Sequence, residues 1–450
     1  MHFRTRHPFV PGASCLALAV VLAGAPRLCA QQANDLAITW ERLELSNGLE
    51  VVLLPDAAQR EVAVELWTHV GTRHEPVGKY GLAHFFEHVM PYGPMSASLA
   101  IRTLADSLRT DSNARTRYDY TRYYKQTVSE GASLFLLEAA GRLASSPAID
   151  LTPERVEVQR ERVLAEMGRF VDARWGEPVR RRLARGTFGA AHPYGHAGYG
   201  TPEETMATTR DDLVRWQRAH VRPEYSTLFV AGNFDPDSSR GFIESVFGRI
   251  PGGIRPPREV SRVPSAAGGR DSLSVAADQS LLLLAWPIPE WASETTPLLQ
   301  LLGYALGARL ETSTPAGVKS VSVEVEALEL AGSFTIVVEH EPALNDRALE
   351  AWAREELAGT LESVSEGELE AARDAERRRV RGFFDDLGWI GGRIELVGES
   401  LVFAGDPGHY LRHLARQQTA GAGDVREATR PWLTAPAFVL AVRGIGEGAP

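Results

Sequence analysis

Apolar and polar positions along the chain change period several times, and the changes mark out the elements. Leu49 to Pro55, rich in Val and Leu, follows the turn Leu45-Ser-Asn-Gly48 and predicts a strand. Glu61 to Val70 alternates apolar and polar residues and is expected to pair with it. After a loop over Gly71 to Lys79, the stretch Gly81 to Met90 predicts a largely buried helix, with Leu82, Phe85, Phe86, Val89 and Met90 apolar. A second helix is expected over Ser98 to Leu108. The segment Asp111 to Arg117 is polar, and Tyr118 to Val128, rich in Tyr and Thr, reads as a strand. Ala132 to Ser145 is helical, with Leu134, Leu137 and Leu143 on one face. Thr152 as N-cap and Pro153 in the first turn open a long helix to about Trp175. Thr201 and Thr209 start two more helices in the same way, and Ser226 to Gly232 reads as a short buried strand.

Pro251 to Gly269 is rich in Pro, Gly, Arg and Ser and reads as a linker. Beyond it the order of the first half recurs. Ser272 to Trp286 and Val318 to Val338 are strands, Thr295 to Leu306 is a helix, and Asn345 to Leu414 is mostly helical. Both halves close on a helix, a short apolar strand and a glycine: Asp212 to Gly232 in one, Asp424 to Gly444 in the other. The fold class expected is α+β, one unit used twice, each a mostly antiparallel sheet covered by helices. The domains are 31–250 and 270–445, joined by 251–269.

The 450 residues suffice for two or three domains, and 44% hydrophobic with 24% charged residues is ordinary for a globular protein. Residues 1–30 stand apart, with Arg4 and Arg6 ahead of the uncharged apolar run Leu16 to Ala25 and a small residue at Ala30. That is the layout of a signal peptide. Neither Cys15 nor Cys29 sits in a lipobox, so release after export is expected, with a retained N-terminal anchor as the alternative. The periplasm is the expected location. Both cysteines fall in this segment, which leaves the mature chain without disulfides or thiolate ligands. Losing its three arginines takes the formal charge from −10 to −13. So acidic a chain is a poor nucleic-acid binder.

The chemistry concentrates in the helix from Gly81. His84, Glu87 and His88 stand in the order His-x-x-Glu-His, which places the two imidazoles one helical turn apart on one face. Neutral imidazoles so placed can share a zinc ion, and Glu87 can reach the same patch. A carboxylate beside a zinc-held water is the arrangement of metal-assisted hydrolysis. The order is the inverzincin motif. The alternative is two satisfied core histidines and a surface glutamate. A catalytic zinc needs a third protein ligand, and the helix from Thr152 offers Glu154, Glu157, Glu161 and Glu166, among which spacing does not choose.

The sequence resembles the pitrilysin/insulysin family of zinc peptidases, which includes the mitochondrial processing peptidase. The resemblance is carried by Leu45-Ser-Asn-Gly-Leu-Glu-Val-Val, Gly71-Thr-Arg-His-Glu-Pro and Gly81-Leu-Ala-His-Phe-Phe-Glu-His. It continues through Asn113-Ala-Arg-Thr116, Arg160-Glu-Arg-Val-Leu-Ala-Glu166-Met, His192-Pro-Tyr-Gly-His and Gly200-Thr-Pro-Glu. It is strong over about 41–250 and weaker over 270–445. It implies His84, His88 and Glu166 as the ligands of one zinc ion and Glu87 as the general base. It implies Asn113 and Ala114 on an edge strand that binds substrate backbone, against the plainer reading of Asn113 as a turn residue. His192 and His196 are interrupted by Pro193 and Gly195, which favours a structural role.

Two departures from the family pattern stand out. Gln159 occupies the place of a second acid seven residues before Glu166, where it can hydrogen bond beside the metal but not tune it by charge. Thr312 and Lys319 stand where the family often has an Arg and a Tyr that grip substrate. The resemblance therefore implies one half of a clamshell: the zinc-bearing subunit of an assembly with a homologous Arg/Tyr-bearing chain, or a homodimer. The expected activity is an endopeptidase acting on peptides or unfolded chains in an enclosed chamber. The alternatives are a non-catalytic assembly subunit of the same fold, and a peptide-binding module with structural zinc.

Overall fold

A computed structural model describes residues 35–90, 103, 108, 111–144, 151–171, 176–196, 198–260, 262–388 and 391–446. The segment read as a signal peptide and most of the helix expected over 98–108 lie outside them. Among the described residues eleven strands appear in chain order: β1 (Glu41–Glu44), β2 (Glu50–Pro55), β3 (Glu61–Thr68), β4 (Asp111–Thr116), β5 (Thr121–Val128), β6 (Ser226–Gly232), β7 (Gly269–Val275), β8 (Ser280–Ile288), β9 (Val318–Ala327), β10 (Gly332–His340) and β11 (Phe438–Gly444). They form a six-stranded sheet, β1-β2-β6-β3-β5-β4, and a five-stranded sheet, β7-β11-β8-β10-β9. Without β1 the two sheets have the same topology. One parallel pair, β2/β6 or β7/β11, is followed by antiparallel neighbours out to an edge strand, β4 or β9. The duplicated α+β unit is therefore real.

Two strand expectations need correcting. The alternating stretch from Glu61 does not pair with β2, because β6 lies between them and bonds to both. Every residue of β6 is buried, so its backbone groups find partners only in the interior of a sheet. The polar segment from Asp111 is itself a strand, paired to β5 from Asp111↔Gln126 to Thr116↔Thr121. Its exposed residues suit an edge.

The helices repeat as the strands do. In the first half they are α1 (Leu82–Val89), α2 (Ala132–Leu143), α3 (Pro153–Val171), α4 (Glu177–Phe188), α5 (Pro202–Ala207), α6 (Arg210–His220) and α7 (Pro236–Phe247). In the second they are α8 (Thr296–Thr312), α9 (Asp346–Ser363), α10 (Glu366–Gly382), α11 (Arg393–Ala404), α12 (His409–Thr419) and α13 (Ala422–Leu433). The threonines at 201 and 209 cap α5 and α6 as expected, each with a reciprocal capping box.

One face of the first sheet packs on α2 and α7 through Phe135, Leu136, Ile243 and Phe247. The second sheet packs on α8, α9 and α13 through Leu298, Leu302, Leu357 and Val425. The opposite faces are covered by exchange. Val179 and Leu183 of α4 pack on Leu281, Leu283 and Leu440 of the second sheet. Gly398 of α11 lies against Trp67 of the first, where a Cβ would come within 2.8 Å of the ring. Residues from Ile38 onward accordingly form one compact unit.

Candidate metal centre

Helix α1 carries the site, and its N-terminus is held unusually. Gly81 turns into it at φ 87°, a left-handed conformation that glycine adopts readily. The carboxylate of Glu75 then accepts the N–H of Gly81 at 3.0 Å and of Ala83 at 2.8 Å. Glu75 thus serves as the cap, satisfying orphan donors at the helix start. Burial pushes its carboxyl well above the usual range, and the two backbone donors oppose that.

His84 and His88 meet edge to face, with their Nε2 atoms 3.2 Å apart. Glu166 reaches in from α3, its carboxylate oxygens 3.1 Å from His88 Nε2 and 3.8 Å from His84 Nε2. Of the four acids named on α3, the structure brings Glu166 to the histidines. Glu157 instead pairs with Arg160, and Glu161 is exposed. In a tetrahedron with zinc–nitrogen bonds of about 2.0–2.1 Å, ligand atoms stand about 3.3 Å apart. The 3.2 Å between the two imidazole nitrogens matches that value, and each oxygen of the Glu166 carboxylate faces one of the histidines, so the donor types, two imidazoles and a carboxylate, suit a zinc ion. Burial, then His88, pushes the His84 imidazole down to about 3, which keeps it neutral and fit to ligate, and Glu166 opposes that shift.

Glu87 is buried beside this triangle. Ligand atoms of His84, Glu87 and His88 lie within 4.8 Å of one another. Burial raises Glu87 to about 7, and a hydrogen bond donated by Thr116 Oγ1 at 2.6 Å opposes the rise. Thr116 ends the edge strand β4, against which α1 packs, so the strand places the donor. The sequence motif around Thr116 does not reveal this role, because Thr116 and Glu87 are 29 positions apart in the chain.

Asn113 and Ala114 lie on β4, at the outer edge of the sheet, and the Asn113 side chain accepts the Ala114 N–H at 2.9 Å. Gln159 is buried on α3, and among the described residues its Oε1 has no hydrogen-bond partner, as is also true of His84 Nδ1. His192 and His196 bind backbone oxygens of Arg262 and Thr72 at 2.8 and 2.7 Å, and His196 stacks on Tyr80, which is a structural use. Thr312 bonds back to its own helix, and Lys319 pairs with Glu341 on the second sheet.

Comparison with known proteins bears on the family of the chain. Residues 50–196 match the family described as Insulinase (Peptidase family M16), and residues 207–376 match the Peptidase M16 inactive domain. An uncharacterized zinc protease of Mycobacterium leprae is 29% identical over 279 residues, which span 60% of this chain and 61% of that protein. The probable mitochondrial-processing peptidase subunit beta of Schizosaccharomyces pombe is 24% identical over 330 residues, 70% of this chain and 69% of that one. Among solved structures, a protease from Helicobacter pylori superposes with a TM-score of 0.79 at 18% identity, covering 90% of this chain and 99% of that chain. That last likeness speaks to the fold. With both halves matched in order, this two-domain α+β chain belongs to the pitrilysin/insulysin-type (M16) peptidase family.

Proposed function

We propose that this chain is a zinc-dependent endopeptidase acting on peptides or unfolded chains. The observation that carries the reading is the convergence of His84, His88 and Glu166 beside the buried carboxylate of Glu87. Those three residues would hold one zinc ion, which supplies Lewis acidity to the site. Glu87 takes a proton from the water that attacks the scissile carbonyl and returns it to the leaving nitrogen. Thr116 holds the Glu87 carboxylate for that exchange. The outer edge of β4 at Asn113 and Ala114, which pairs with no further strand among the described residues, offers backbone groups to an extended substrate. Export to the periplasm through residues 1–30 belongs to the same proposal. So does assembly with a homologous chain, supported by the likeness to a mitochondrial-processing peptidase subunit.

A second reading, a non-catalytic subunit of the same fold, draws on the inactive-domain match over residues 207–376 and on Thr312 and Lys319. Zinc content of the purified mature chain, wild type against Glu166→Gln, with peptide hydrolysis in parallel, separates the two. About one zinc per wild-type chain, weakened in the mutant and accompanied by hydrolysis, is the expected result. A chain that binds no zinc and cleaves nothing would favour the second reading.

A further inference from the structure

Thr116 stands where β4 ends, and the loop Arg117 to Tyr120 follows at once before β5. The Arg117 N–H closes that loop, donating to the Tyr120 carbonyl at 2.8 Å. Residues 71–75 lie along it. The N–H groups of Thr72 and Arg73 donate to the carbonyls of Arg117 and Tyr118 at 3.0 and 3.1 Å. A Cβ on Gly71 would come within 2.1 Å of the Arg117 oxygen, so the two pieces of backbone touch directly. One of them carries the hydroxyl that holds Glu87, and the other ends in Glu75, the cap of α1.

The second half of the chain grips this loop with its β9–β10 turn, which the Leu328 N–H closes on the Ala331 carbonyl at 3.1 Å. Glu329 of the turn lies 2.8 Å from Arg73 Nη2, and Arg73 Nε lies 2.8 Å from Asp119 at the tip of the loop. Tyr194 completes the circuit: its hydroxyl donates to Asp119 at 2.6 Å and accepts the Leu330 N–H at 3.0 Å. The Arg73, Asp119 and Glu329 side chains are 5%, 0% and 10% exposed. Their further partners, Glu259 on Arg73 and Arg258 on Glu329, are 42% and 40% exposed, as is the Arg117–Glu326 pair in similar degree. Exposed pairs hold little, whereas truncating one member of a buried set releases the others. Resting on the peptidase reading, we propose that Glu329 is a positioning residue for hydrolysis. Through Arg73 and Asp119 it fixes the loop, and the loop fixes Thr116 against Glu87. The half that matches the inactive domain thus sets the geometry of the general base without touching the metal centre. A donor held in place before the proton moves needs no reorganisation as it does so.

The test is a double-mutant cycle in the full-length zinc-loaded protein, with Glu329→Ala and Thr116→Val made singly and together. A residue that acts through another adds nothing once the other is gone. Glu329→Ala should lower kcat by up to about tenfold, the loss expected for Thr116 itself, with KM and zinc content near those of wild type. In the Thr116→Val background the same change should cost less than about twofold. Hydrogen exchange in the metal-free protein gives a readout apart from activity: residues 111–122 should exchange faster in Glu329→Ala than in wild type. Should the alanine variant lose its cooperative melt, Glu329→Asp, which keeps the charge and draws it back by a methylene, takes its place in the cycle. An equal loss of kcat in both backgrounds overturns the assignment, because Glu329 would then act by another route. An unchanged kcat in the mutant of an active wild type also overturns it and leaves the peptidase reading standing. A wild type that holds no zinc and cleaves nothing sinks the peptidase reading and the assignment with it.

Discussion

Thr116 and Glu87 show what one hydrogen bond does at the residue scale. The hydroxyl sits 2.6 Å from a carboxylate that has little other access to water. Thr116→Val keeps the shape and removes the donor. We expect kcat to fall about tenfold while zinc stays bound, with Thr116→Ser restoring most of it, because charge-assisted bonds of this kind are worth about 1.5–3 kcal/mol. Glu87→Gln should retain zinc and lose hydrolysis by about 10²–10⁴-fold. The same substitution has a signature in the metal-free protein. Burial raises Glu87 from 4.5 to about 7, so across that window the folded chain keeps a proton the unfolded chain has released. Stability contributed by the protonated acid is therefore lost as pH rises from 4.5 towards 7. Gln does not titrate, so the melting temperature of Glu87→Gln should gain on wild type through that window and level off above it. At about 1.4 kcal/mol per unit the gain approaches about 3 kcal/mol. A gap that stays constant with pH would contradict the burial account. His84, Glu87 and His88 were legible as a trio because one helical turn brings them together. Thr116 and the choice of Glu166 were not, because a hairpin and a second helix bring those in.

At the scale of elements, α1 is eight residues long, too short to stand alone in water. It depends on Glu75 at one end and on packing against Val163, Met167 and Trp216 along its length. Glu75→Ala should leave two buried N–H groups unsatisfied and cost about 2–4 kcal/mol, read by urea denaturation of the metal-free chain. Zinc affinity should fall with it, since the ligand histidines sit on the released turn. Unchanged affinity and stability would mean water replaces the carboxylate at no cost. Helix caps at Thr201 and Thr209 were legible because capping is local chemistry. The place of β6 was not, because its partners β2 and β3 are set by the crossover that brings residues 226–232 back into the sheet.

The whole molecule is joined by the exchange of α4 and α11 between the halves. A buried charge network crosses with α11: Arg122 meets Glu395 at 3.2 Å, and Tyr120 donates to Glu399 at 2.8 Å. Gly186 and Gly398 mark the tightest contacts of the exchanged helices, with a Cβ at 2.2 Å from Phe438 in one and 2.8 Å from Trp67 in the other. Alanine at either position forces an aromatic ring to move and should cost about 1–3 kcal/mol. Because neither sheet is covered without the other half, calorimetry should show one cooperative unfolding transition for the described body. Two separable transitions would show the halves to be independent. The repeat of element order was readable in the chain; the exchange was not, since α4 and α11 look like ordinary amphipathic helices until the sheet they cover is known.

What lay within a few residues of itself was determined by sequence alone. That holds for the spacing of two histidines and an acid on one helix face, the caps, the turns, and the recurrence of one unit in two halves. These follow from helical period and local hydrogen bonding, which need no distant partner. Tertiary structure decided which of four glutamates meets the histidines and which threonine holds the base. It also decided which sheet each crossing helix protects. Each of those depends on bringing residues tens to hundreds of positions apart within a few ångströms, and only the packed core specifies that.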